Sequence, residues 1–186
     1  MGALIIIVIL IVFVAIFVMS IYNGLISLRN QVENAWAKIN VELQRRFDLI
    51  PNLVETVKGY MGHETDVLEK VTSLRSSWAG ASSIDEKANL NNQLSNTLKS
   101  IMAISENYPD LKASQNFLDL QEELRNTENK ISFSRQFYND SVTMYNTKLE
   151  VFPSNIIANC FNFVAEPLFA VEGDEVRKNV KVDFNK

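Results

Sequence analysis

The chain has 186 residues, 18 basic against 22 acidic side chains, a formal net charge of −4, and a hydrophobic content close to one half. Its charges of both signs are interspersed, so it lacks the clustered Lys and Arg face that tracks a phosphate backbone, and nucleic acid is excluded as an expected partner. The single cysteine, Cys160, leaves no intrachain disulfide framework and no cysteine-based zinc site, and its expected place is a buried, inert one.

The first element is apolar. From Ala3 to Met19 there is no polar side chain, and Ser20, Ile21 and Tyr22 extend the run to about twenty residues, the length a helix needs to cross a hydrocarbon core. A cleaved signal peptide is disfavoured, because no Lys or Arg precedes the run and Phe17 stands three before Ser20 where a small residue is required. Tyr22 suits the headgroup level, its ring apolar and its hydroxyl wet. Ser20 and Gly24 have small-xxx-small spacing, a weak dimer signal at the membrane edge. Arg29 and Lys38 follow the run and only the α-amino group precedes it, so the positive-inside rule assigns the remainder of the chain to the cytoplasm.

Beyond the anchor, apolar residues recur at three and four. Leu28, Val32, Ala35, Ile39 and Leu43 make one stripe, with Trp36 and Phe47 alongside, and predict a first soluble helix that continues the membrane helix. Arg45 and Arg46 fall in its last turn, where cations meet the negative end of the helix dipole, and Asp48 is placed to cap the next helix, with Pro51 in its first turn. Helix two is predicted from Leu49 to Trp78. Gly59 and Gly62 inside it each cost roughly 1 kcal/mol relative to Ala, so a close neighbouring helix is expected there. Ser83-Ile84-Asp85-Glu86 is a capping box opening helix three on Leu90, Leu94, Leu98, Ile101 and Ile104. Tyr108-Pro109-Asp110 is a turn, since the residue before proline is pushed out of the α region.

Helix four is predicted over Ser114 to Phe152. Its heptad-spaced face is Phe117, Leu120, Leu124, Thr127, Ile131, Ser134, Tyr138, Ser141, Tyr145, Lys148 and Phe152, becoming more polar and aromatic toward the C-terminal half. Pro153 stops it. The expected organisation is an all-α fold: an anchor over 1–22, an antiparallel four-helix bundle with long helices over 23–153, and a partly irregular extension over 154–186 containing a short helix.

Three stretches carry a resemblance: VENAWAKINVELQRRFDLIPNLVETVKGYMGHE from Val32, ENYPDLKASQNFLDLQEELRNTENKI from Glu106, and YN-x5-YN from Tyr138 to Asn146. In this order behind one apolar segment, they resemble the LemA family of bacterial inner-membrane proteins over essentially the whole chain. The resemblance implies a four-helix bundle, a very short N-terminus outside the cell and no assigned molecular function. It also implies one candidate partner, because relatives are often encoded beside a membrane zinc metalloprotease of the HtpX type.

No known catalytic motif is present. His63 is the only histidine, and a di-iron bundle site needs two Glu-x-x-His elements; a surface or capping role is expected for it. Glu122, Glu123 and Glu128 read as a solvated helix face with Arg125 and Lys130, against the alternative of an unrecognised carboxylate site. No cofactor is expected. Two groups carry the functional expectation. Arg45, Arg46 and Asp48 could meet lipid headgroups or a protein, although helix-end electrostatics explains the same residues. Asn139, Tyr145 and Asn146 form either a buried hydrogen-bonded layer that sets register or a groove for a partner peptide or helix. The sequence therefore reads as a membrane-anchored interaction or scaffold protein binding lipid and other envelope proteins, with self-association or catalysis as the alternatives.

Overall fold

The computed structural model describes residues 1–61 and 64–169. Among these, every regular element is a helix: α1 (Gly2–Asp48), α2 (Ile50–Lys58), α3 (Thr65–Gly80), α4 (Ile84–Ser105), α5 (Pro109–Lys112), α6 (Gln115–Glu150) and α7 (Ser154–Cys160). The chain is all-α. The described residues sort into two compact units, the first made of residues 1–46 and 124–168, the second of residues 47–123 with Phe169.

Unit one is organised by α1, which runs unbroken for 47 residues, so no joint separates the apolar segment from the first soluble stretch. Every side chain from Ala3 to Phe17 is exposed, so none of the described residues packs over this part of the helix. It is the one helix among the described residues that is long and apolar enough to cross a membrane. From Leu25 onward the helix acquires a buried stripe, Leu25, Val32, Ala35, Ile39 and Leu43, facing the buried side of α6 at Leu124, Thr127, Ile131, Tyr138, Val142 and Tyr145. Two contacts fix the direction. The Trp36 and Tyr138 rings lie 5.8 Å apart, and ten residues further along α1 Arg46 pairs with Glu128, ten residues earlier on α6. The two helices are antiparallel in a single register. The heptad-spaced face of α6 is buried or half-buried through Tyr145 and then runs out, with Lys148 and Phe152 exposed.

After Pro153, α7 buries only Ser154 and Ala158. It closes in a Schellman motif: Phe163 N–H donates to Ala158 O at 3.0 Å and Asn162 N–H to Asn159 O at 3.3 Å, with Asn162 at φ 55°. Asparagine is one of the few side chains that tolerates this left-handed position, because its short polar group can hydrogen-bond locally and offset the crowding of Cβ against the following carbonyl.

Unit two holds α2 to α5 and the start of α6. The helix predicted over Leu49–Trp78 is two helices, since α2 ends at Lys58 and α3 begins at Thr65. Among the described residues the expected close neighbour is absent at Gly59, where an added Cβ would meet nothing nearer than Thr56 O at 4.0 Å. Glycine here releases the helix rather than admitting a partner, because its entropic cost in a helix interior is not offset by packing. Gly62 and His63 lie outside the described residues. Asp48 is not the cap of α2 either; that position belongs to Leu49, in αR geometry and with no side-chain cap bond. Ser83 does cap α4, accepting from Glu86 N–H at 3.1 Å, and the Glu86 carboxylate accepts from Ser82 N–H, one residue before the expected donor. Phe47 stacks on Trp78 with centroids 4.5 Å apart and planes 10° from parallel, joining the core of Ile50, Leu53, Val71, Leu94, Ile101 and Phe117.

Candidate interaction site

The residues singled out from sequence fall in three environments. Arg45 and Asp48 are exposed, whereas Arg46 is 3 % exposed and its guanidinium Nη1 bonds the Glu128 carboxylate. Burial pulls the Arg46 guanidinium below its usual range, and the Glu128 charge opposes that shift. The pair runs from core to solvent, because the Glu128 side chain is 43 % exposed. Position 46 follows Ile39 and Leu43 at the next step of the buried stripe, a spacing that marks it as inward-facing. Helix-end electrostatics had hidden this, since the last turn is also where a cation sits well in water.

The tyrosines and asparagines of α6 hold the chain's own later segment. Asn146 Nδ2 donates to Glu166 O at 2.9 Å while Asn146 Oδ1 accepts from Glu166 N–H at 3.0 Å, so one side-chain amide satisfies both backbone groups of one residue. Tyr138 donates its hydroxyl to Pro167 O at 2.7 Å. Tyr145 is fully buried, and its hydroxyl has no hydrogen-bond partner among the described residues. Burial pushes this phenol up, with Glu166 adding to the shift and Arg29 opposing it. Asn139 is half-buried, its carbonyl accepting from Thr143 Oγ1 at 2.8 Å. Tyr138, Tyr145 and Asn146 thus lie along one course of α6, and the groove that two of them line is occupied from within. Sequence reasoning missed the occupant because residues 163–169 have no periodicity to read.

An open groove lies on unit one between α1 and α6, with a volume of about 670 Å³ and a lining of Asn34, Ala37, Lys38, Val41, Glu42 and Ser134. The antiparallel register puts Val41 level with Phe133, and these are 64 % and 75 % exposed. Phe137 borders it under the Lys38 ammonium, 5.5 Å from the ring centroid. Glu42 Oε2 is shielded from solvent and receives no hydrogen bond from the described residues. Unit two has a smaller groove of about 510 Å³ at Val54, Lys58, Met61 and Leu68. Cys160, expected inside, is exposed, because α7 turns only Ser154 and Ala158 inward. Among the described residues no three His, Cys, Asp or Glu side chains gather as a metal site would require.

An all-α chain in which, among the described residues, one long apolar helix runs without a break into a packed helical unit defines a class of helical proteins with a single candidate membrane span, with an exposed groove as its candidate site. The LemA family matches over residues 35–184, starting beyond the apolar segment, so the match rests on the helical units themselves. Protein LemA of Metamycoplasma hominis is 29 % identical over 166 residues, covering 88 % of this chain and 74 % of that protein. The chain belongs to the LemA family.

Proposed function

We propose that this LemA-family chain is a membrane-anchored, non-catalytic interaction protein of the bacterial inner membrane, its helical units on the cytoplasmic side and the groove of unit one receiving a segment of another envelope protein. The observation that carries this reading is the exposure of Val41 on the groove and of Phe137 beneath Lys38, which lines it. Large apolar side chains gathered on a rim, with polar groups between them, are the composition of an anchor site. Covering them fully contributes about 1.5–3 kcal/mol each, and association costs consume much of that sum, so the contact is weak in free solution. Confinement to one bilayer raises the effective concentration and compensates. A membrane metalloprotease of the HtpX type is one candidate partner, and a second copy of the chain is the alternative.

The test is recovery of partners from detergent-solubilised native membranes by the full chain and its variants. Val41→Asp and Phe137→Asp should each abolish recovery of the specific partner, while Leu118→Asp, exposed in unit two, leaves it intact. Equal recovery by all three variants contradicts the assignment of the groove.

A further inference from the structure

The geometry points to a second membrane contact: the turn after α6, α7 and the chain from there to Val164 lie on the bilayer surface as an apolar interfacial foot, inserting between phospholipid headgroups beside the spanning helix. The argument rests on α1 being the span, and two measurements then set the height of the foot. In the antiparallel register of α1 and α6, Trp36 stands beside Tyr138. Fourteen residues before Trp36 is Tyr22, and fourteen beyond Tyr138 is Phe152, in the turn just past α6, so that turn comes level with the end of the apolar run. Independently, the Tyr22 ring touches two aromatic rings after α7, with centroids 4.7 Å from Phe161 and 5.7 Å from Phe163. A tyrosine ending a span sits at headgroup level, and whatever packs on its ring sits there too.

The side chains at that height are the wrong ones for water. Phe152 is 77 % exposed and Val164 72 %, with Val151, Ile156 and Phe161 also open. Between Val151 and Leu168 the only ionisable groups are the Cys160 thiol and Glu166, and the Glu166 backbone is drawn up against Asn146. An 18-residue stretch with no Lys or Arg cannot bind by attraction to anionic lipid, so its ligand chemistry is the uncharged boundary between headgroup and acyl chain. A seven-residue helix would not hold a bilayer alone. Tethered to the span it needs to contribute little, because the span has already brought it there. Val41 is a different case, since it stands nineteen residues along α1 from Tyr22, roughly 28 Å at the helical rise, beyond reach of the same surface.

Cys160, the only cysteine, is exposed at this foot and supplies a native probe position. The full chain is labelled there with a polarity-sensitive fluorophore and reconstituted in phosphatidylcholine vesicles carrying a nitroxide high on the acyl chain. Quenching should exceed by several-fold that of a label at Ser82→Cys in a Cys160→Ser background, and should persist at high salt. The double variant Phe152→Asp with Ile156→Asp should lose that quenching while the chain still floats with the vesicles, which separates loss of the foot from loss of the span. A label at Val164→Cys in the Cys160→Ser background repeats the reading with α7 otherwise unaltered. Quenching no greater than at position 82, or appearing only when anionic lipid is added, overturns the proposal.

Discussion

Replacing Asn146 with Leu should free the segment around Glu166 from α6 and leave the rest of unit one folded. The wild-type amide makes two hydrogen bonds to the Glu166 backbone, at 2.9 and 3.0 Å, and both are part-buried. Each such bond has a net worth of about 1 kcal/mol, so losing both costs about 2 kcal/mol of local stability, while the Tyr138 hydroxyl retains its bond to Pro167. At the factor of ten per 1.4 kcal/mol that links free energy to population, the open state rises roughly 30-fold. Hydrogen exchange resolved to the Glu166 amide reads this directly, because the only acceptor described for that N–H is Asn146 Oδ1. Asn146→Asp retains an acceptor but sets a carboxylate oxygen against the Glu166 carbonyl, and should accelerate exchange to a similar degree. Unchanged exchange at Glu166 in both variants refutes the clamp. Equal acceleration throughout the buried face of α6 refutes its local character.

Replacing Val8 and Ile11 with Lys puts two charges on a helix whose side chains are all exposed there, at a cost of about 2.5–3.5 kcal/mol each on insertion scales. The doubly charged chain should appear in the soluble fraction, and carbonate-resistant sedimentation would show that the segment is not the anchor. At the buried cation, Glu128→Gln should destabilise the protein by about 1–3 kcal/mol in denaturant unfolding, below the usual figure for a broken buried pair because Glu128 is half open to water. Arg46→Met removes the desolvated charge itself and should cost less than Glu128→Gln; the reverse order would mean that the ion pair outweighs its desolvation. For topology, a single Cys at exposed Ser82 in a Cys160→Ser background should react with an impermeant maleimide only after lysis, and labelling in intact spheroplasts would place the helical units outside.

Features written as periodicity or as local capping chemistry were legible in the sequence. The apolar run, the Ser83 cap and the α6 seam from Phe117 to Tyr145 each depend on residues within one helix, where spacing determines facing. Features that depend on a distant partner were not. The separation of α2 from α3 turns on whether anything packs at Gly59, and among the described residues nothing does. Arg46 satisfied two descriptions at once, a helix-end cation and a step of the buried stripe, and only the Glu128 contact separates them. Asn146 was recognised as a residue of interest, but its partner lies twenty residues further on in a segment without regular structure. Cys160 was expected inside on composition, and the shallow seating of α7 leaves it outside.

The central claim, that an exposed groove on the tethered helical unit receives another envelope protein, is tested most directly by a photocrosslinking residue placed at position 41 in living cells, followed by identification of the adducts. Val41 is open to solvent on the groove and about 28 Å along α1 from the end of the apolar run. The account predicts one dominant protein adduct that disappears when Phe137→Asp is added and is absent from the same probe at Leu118. Adducts at position 41 that match those at Leu118, or that survive the Phe137 change, would contradict it.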